Sequence, residues 1–494
     1  MTQSQGGRLP ILRLGGLTAA ALVIHGYHLG VEDAEIYIPT AKKLLNPGLY
    51  GYADEFFLSH GHLSLFGPIL AWTSRLTHVP IDWSIFGWYL VSLFAILAGC
   101  WTLLSACFQS DRARWTGMLV VTAVLAMPAT NTGLLLVDPY MTGRSFSTPL
   151  TVFTLAFLLE RKYVRASVTM LATAFFHPQM VAYLLFVALL LWTMDRSKSR
   201  VRERVPVMAS VVGLLPTGFD LTPATGPYRE ALYSRDYFFL YNWTWYHWLG
   251  MLAPLAILGW IWKANLRGTK PALARLSFAM LPFGLLSIAA GAVLASSPSF
   301  DMFARLQPLR TFHIITLVLV LLLGGLIGEY LAKGRPWVPV ALALPLAAGM
   351  FYVARETYPN SPQIELPAST SSNAWINTLL WVRNNTPQNA VFAVDSRYFM
   401  DREADVHGFR ATSERSALAD YFKDGGVVSL FPGLAQEWKQ MSNATYGLNH
   451  FQVDDFRRLR SEYPAVSWTL IHGAAPAGME CPYQQRGYAV CQMP

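Results

Sequence analysis

Charge is scarce in this sequence. Asp, Glu, Lys and Arg make up 14% of its 494 residues, against roughly a quarter in soluble globular proteins, while 53% of residues are hydrophobic and the mean hydropathy is +0.32. That shortage excludes an ordinary soluble domain and leaves an integral membrane protein. Glycine-rich phosphate loops, a serine nucleophile elbow, zinc-spaced Cys or His clusters and fixed-period repeats are also missing. Their absence removes a nucleotide cofactor, ATP-driven transport by this chain and the common hydrolase motifs. Cysteine is limited to four residues. Cys100 and Cys107 fall inside an apolar run, so the disulfide candidate is Cys481 with Cys491, in an oxidising compartment.

The apolar runs recur from residue 11 to residue 355, which a removable signal peptide does not explain. At about 20 helical residues per crossing they give about eleven spans. These lie near 11–29, 83–107, 116–137, 145–160, 165–177, 178–194, 205–218, 246–263, 276–295, 314–332 and 337–355. Basic residues gather in alternate connections, among them Arg112 with Arg114, "DRSKSRVRER", and Lys263 to Arg275. The charge of +8 and pI of 9.2 therefore follow topology, with no nucleic-acid stripe. The expectation is a cytoplasmic N-terminus, a 1–355 transmembrane domain with a long outer loop at 30–82, and an extracytoplasmic α/β domain over 356–494.

The outer connections are chemically the richer ones. "IHGYHLGVEDAEIYIP" brings Glu32 and Asp33 close to the membrane, where carboxylates either stay solvated or line a polar cavity. "AEIYIPTAKKLLNPG" reads as an amphipathic interfacial helix opened by Pro39, with Lys42 and Lys43 on its polar side. "HLSLFGPILAWTSRLTHV" reads as a second segment lying on the outer surface.

This layout resembles the GT-C superfamily of integral-membrane glycosyltransferases, which take sugar from a polyprenyl-phosphate carrier. The likeness rests on a first span, a long outer loop with the acidic pair Glu32-Asp33, two juxtamembrane helices, many further spans and an outer C-terminal domain. The "WWDxG" stretch of oligosaccharyltransferases is lacking. The resemblance implies a GT-C-like polytopic α-helical fold in a bacterial inner membrane, with the C-terminal domain periplasmic or extracellular. Its implied partners are a polyprenyl-phosphate-linked sugar, membrane lipids and a glycan, lipid or protein acceptor.

The chemistry asks for the same residue types. Transfer to a hydroxyl needs a carboxylate to take its proton, for which Asp33 or Glu32 is the candidate. The departing phosphate needs fixed cations, for which Arg305, Arg310 and Arg144 at outer ends of spans are the candidates. Asp138 in "VDPYMTGRS" either serves acceptor binding or orients those arginines, or is only a turn; His177 either meets a substrate hydroxyl or simply ends a helix before Pro178. The aromatic stretch at 237–248 reads as an interfacial belt. A divalent metal stays open, because acidic pairs that chelate and acidic pairs that act as bases look alike in sequence. The competing reading is a polytopic transporter or lipid flippase.

Overall fold

In the computed structural model the described residues are 10–196, 223–264, 266–367, 371–401 and 404–494. They are mostly helical, with one small sheet confined to residues 391–492. Among them four helical runs are long and apolar enough to cross a membrane: Ile81–Cys107, Pro271–Leu294, Pro298–Leu331 and Val338–Thr357. Shorter apolar helices include Ile11–His25, Tyr163–Phe176 and Pro178–Met194. The span expected at 205–218 lies outside the described residues.

One expected span is not a continuous helix. The helix begins at Asp111, where the Ser110 hydroxyl accepts from the Ala113 amide, and stops at Ala123 instead of running to 137. Residues 127–136 then double back as a narrow hairpin, with Ala129 N donating to Leu134 O and Leu136 N to Met127 O. Pro128 lacks a helical donor, and Asn131-Thr132-Gly133 supplies a turn with Gly133 at φ +68°. Turn chemistry outweighs the apolar composition there.

The first loop folds as three helices, Ala34–Leu45, Glu55–Gly61 and Phe66–Thr77. The last of these buries Phe66, Leu70 and Ala71 and exposes Trp72 and Leu76. Helix Ala34–Leu45 departs from the expected open amphipathic segment in two ways. Pro39 sits inside it, not at its start. Lys42 is buried, with its ammonium 3.1 Å from Asp82 and 2.9 Å from Glu414, and Arg383 joins the same two carboxylates. A buried lysine without such partners would be strongly unfavourable, so this face is packed against the C-terminal part of the chain.

The sheet has the order β2-β1-β3-β5-β4, with β1 Val391–Val394, β2 Ser416–Ala417, β3 Val466–His472, β4 Tyr483–Gln485 and β5 Tyr488–Gln492. β1 is parallel to β2 and β3, while β5 runs antiparallel to β3 and β4. Helix Ala374–Asn385, capped by the Asn373 side chain on Ile376 N, precedes β1. Cys481 and Cys491 are joined by a disulfide beside β5, and Cys100 and Cys107 are buried free thiols.

The chain leaving the first helix is stitched to the C-terminal part. Tyr27 N donates to Gln363 O at 3.0 Å, Glu365 N to Tyr27 O at 2.8 Å, and Gly408 N to Gly30 O at 2.8 Å. Gly26 sits at φ +82° with no room for a side chain, because a Cβ there would stand 2.5 Å from Gln363 O. Glu35 caps the short helix Phe409–Ser413 from outside it, accepting at 2.7 Å from both Arg410 N and Ala411 N. Burial raises the Glu35 carboxyl to about 7, against the opposing pull of Arg410 and these two amides.

A methyl group at Gly408 would run into that Glu35 carboxylate. Gly408→Ala is therefore expected to lower stability by about 1–3 kcal/mol through overpacking. Gly433→Ala, which meets nothing within 4 Å, is expected to leave the melting temperature in detergent unchanged. Equal melting of the two variants would contradict this account.

Candidate functional site

A cavity of about 530 Å³ lies where the first loop, the 127–136 hairpin and the C-terminal part meet. Its charged lining consists of Glu32, Asp33 and Asp138 against Arg144, Arg235, Arg310 and Lys423. Four cations facing three carboxylates leave the lining formally positive, suited to an anion.

Asp33 is the centre of the arrangement. Its Oδ2 accepts from the Arg144 guanidinium at 3.0 Å and its Oδ1 from Lys423 Nζ at 3.2 Å. Lys423 also pairs with Glu32. Local backbone makes this convergence possible: Glu32 takes a left-handed φ of +52°, a conformation that costs a non-glycine residue about 1–3 kcal/mol, and Asp33 then heads helix Ala34–Leu45. Burial alone would raise the Asp33 carboxyl, but Lys423 and Arg144 together hold it far below the ordinary carboxylate range. Asp33 is thus a carboxylate at all ordinary pH values, and a weak base while both cations hold it.

Each cation is in turn held from behind. Arg144 stands in the first turn of helix Gly143–Leu159, behind the capping box of Thr142 and Ser145, and Asp138 Oδ2 accepts from its Nε at 3.1 Å and its NH2 at 2.9 Å. Of the three readings for Asp138, orienting an arginine is the one this geometry fits. Lys423 heads helix Lys423–Val428, and its amide donates to Asp420 Oδ1 at 2.6 Å. The next residue, Asp424, forms a two-point pair with Arg410 at 2.8 and 3.0 Å. Burial opposes the Lys423 ammonium, but Glu32 and Asp33 raise its pKa above the usual lysine value.

On the opposite wall Arg310 donates to the Tyr237 hydroxyl at 3.2 Å and lies over its ring at 5.4 Å. Its Nε is buried without a hydrogen-bond partner. Tyr237 belongs to the stretch expected as an interfacial belt, but it lines the cavity, whereas Trp245 is exposed. His177, between helices Tyr163–Phe176 and Pro178–Arg196, lines the cavity as well. So does His60, whose pKa burial lowers to about 4 despite Asp33, leaving a neutral imidazole 3.3 Å from the Tyr37 hydroxyl.

Arg305 is the sequence candidate that the cavity leaves out. It lies buried in the 3-10 run Pro298–Leu306, and Gln307, at φ +48°, turns the chain so that Gln307 and Arg310 face the cavity instead. Lys423 is the residue that sequence reasoning missed, together with Tyr37 and His60. No local pattern marks Lys423 in "YFKDGG", because its partners stand 390 residues away.

A divalent metal does not suit this donor set. Among the described residues no group of three or more His, Cys, Asp or Glu side chains is arranged to hold one. Both oxygens of Asp33 already face cationic nitrogens, the wrong partners for a shared metal ion.

The chain matches no protein-family model and no curated protein.

Asp33 carries a depressed carboxyl, so its contribution to stability is complete above its ordinary value of 3.8 and is lost only as pH falls through the lower folded value. Lys423→Met removes one cause of the depression. The variant is expected to lose about 1–3 kcal/mol at neutral pH, less than a fully buried pair would cost because Asp33 and Glu32 are partly exposed. Its acid unfolding should also begin closer to about pH 4. A melting-temperature profile from pH 3 to 8 that overlays the wild type would contradict the assigned pairing.

Proposed function

We propose that this protein is a membrane glycosyltransferase of GT-C type that moves a sugar from a polyprenyl-phosphate donor to an acceptor hydroxyl, with about eleven spans and the cavity on the extracytoplasmic face. The observation that carries the reading is the convergence of Asp33, Arg144, Lys423 and Arg310 on one cavity. Asp33 in contact with Arg144 and Lys423, with Arg310 lining the same cavity, supports a proton acceptor and phosphate-holding cations serving one bound donor. Two of the long apolar helical runs, Pro298–Leu331 and Val338–Thr357, contribute Arg310 and Thr357 to the lining, and in this reading the lipid tail lies along them.

In this reading the acceptor oxygen attacks the anomeric carbon as the bond from that carbon to the phosphate oxygen breaks. The electron pair leaves with the phosphate, the hydroxyl proton passes to the Asp33 carboxylate, and a single displacement inverts the anomeric centre. Arg310, with its unpartnered Nε, receives the phosphate first. The bound phosphate then competes with Asp33 for Arg144 and Lys423. As those cations turn toward the phosphate the carboxylate becomes more basic, which matches its proton affinity to the moment when it is needed.

Full-length protein in nanodiscs, supplied with radiolabelled polyprenyl-phosphate sugars and scored for transfer, tests this. Asp33→Asn is expected to lose about 10²- to 10⁴-fold in turnover, the usual worth of a positioned acid or base. Arg310→Gln is expected to raise the KM for donor more than it lowers kcat. Transfer by Asp33→Asn at the wild-type rate sinks the assignment of the base. Donor-lipid flux across liposomes without any transfer would move the flippase reading ahead.

A further inference from the structure

The C-terminal sheet holds a feature that the transferase reading does not use. From β1 the chain passes to β2 on one side and returns to β3 on the other, so the winding reverses between β1 and β3. In open sheets with parallel strands, ligands enter the crevice beyond the carboxyl ends at such a switch point. A second cavity, of about 250 Å³, lies at that place. Asp395 directly follows β1 and His472 ends β3, and both line it. It shares no lining residue with the cavity around Asp33.

Its walls combine aromatic faces with planar polar groups. Trp375 packs 5.4 Å from Tyr398 and 5.5 Å from Tyr488, forming the inner wall. Tyr446, 58% exposed, stands at the mouth with the Arg397 guanidinium 4.8 Å over its ring. On the polar side Asp395 accepts from Arg397 N at 2.9 Å and from Asn449 Nδ2 at 3.4 Å. His472 Nδ1 lies 2.7 Å from Asp401 while its ring stacks on Tyr488.

The donor set selects the ligand. Two carboxylates, Asp395 and Asp401, against the single guanidinium of Arg397 disfavour a phosphate, and β1 leads into the 3-10 turn Tyr398–Met400, with neither a glycine-rich turn nor an α-helix start to receive one. The amides of Arg397, Asn449 and Gly447 draw on the roughly four lone-pair sites of Asp395, whose place in the lining still brings its carboxylate to a ligand's hydroxyls. Apolar C–H faces suit the rings and adjacent hydroxyls suit the carboxylates and the amide, which together describe a neutral sugar ring. The volume lies just below the roughly 300–1,000 Å³ of drug-sized pockets, room for one ring.

We propose that this pocket binds one pyranose residue of a neutral glycan through Tyr446, Trp375, Asp395 and Asp401. The site stands without the transferase reading, and only the identity of its occupant as part of the acceptor rests on that reading. A structural link joins the two cavities. Arg397 also lies 4.8 Å over Tyr421, whose amide donates to Ser396 O at 2.8 Å, and Phe422 and Lys423, which follow, line the cavity of Asp33.

Saturation-transfer NMR on the full chain in nanodiscs, with methyl hexopyranosides of gluco, galacto and manno configuration as probes, tests the proposal. At least one probe is expected to bind saturably, about ten-fold more weakly in Tyr446→Ala and in Asp395→Asn, and unchanged in Asp33→Asn. Tyr446 is exposed, so its truncation leaves the fold intact, which a melting curve verifies. Absence of binding by all three probes overturns the proposal. So does binding unaffected by both pocket variants, or binding lost in Asp33→Asn, which would assign the sugar to the other cavity. A loss of transfer activity alone bears on the transferase reading and leaves this pocket's outcome separate.

Discussion

One carboxylate shared by two cations holds the centre of this molecule together. Asp33 receives Arg144 from the helical part and Lys423 from the C-terminal part. Desolvating three charges is costly, and further carboxylates offset that cost: Asp138 behind Arg144, Glu32 beside Lys423. The dependence runs outward from there. Lys423 is aimed by the helix that Asp424 and Arg410 fasten, and Arg410 and its neighbour Ala411 are fastened in turn to Glu35, two residues beyond Asp33. The loop of charges closes on itself, so loosening any member loosens the cavity.

Scarce charge in the composition coexists with dense charge in the interior. Lys42, Asp82, Glu414 and Arg383 form a second network, and Glu365 between His28 and His407 a third. Burial would raise the Glu365 carboxyl, but His407 and His28 bring it down to about 2. All three networks join the first loop and the start of the next helix to residues beyond 360. The apolar helices give the scaffold its bulk, whereas registry between its two parts is set by ion pairs with fixed geometry.

The sequence displays some of this openly. Apolar length marks the long helices, and short β-rich runs bounded by turns mark β1, β3 and β5, whereas β2 and β4 have only two and three residues and no periodicity to read. The 116–137 stretch misleads because hydropathy averages over Pro128 and Gly133, while the backbone answers to them individually. Glu32, Asp33, Arg144 and Arg310 are legible because charged side chains stand beside apolar runs. Arg305 and Arg310 read alike at five residues apart, and only the left-handed Gln307 between them decides which one meets the cavity. Lys423 and the burial of Lys42 are illegible, since Asp33 for the one and Ala411 and Glu414 for the other stand hundreds of residues distant.

The contact between Asp33 and Lys423 also constrains how the chain threads a bilayer. Two side chains 3.2 Å apart lie on the same side of any bilayer the chain crosses, so the backbone between residues 33 and 423 would traverse the lipid an even number of times. A count that came out odd would require a missing or extra passage within that interval, and parity thereby becomes a bookkeeping rule against which any map of the loops is checked.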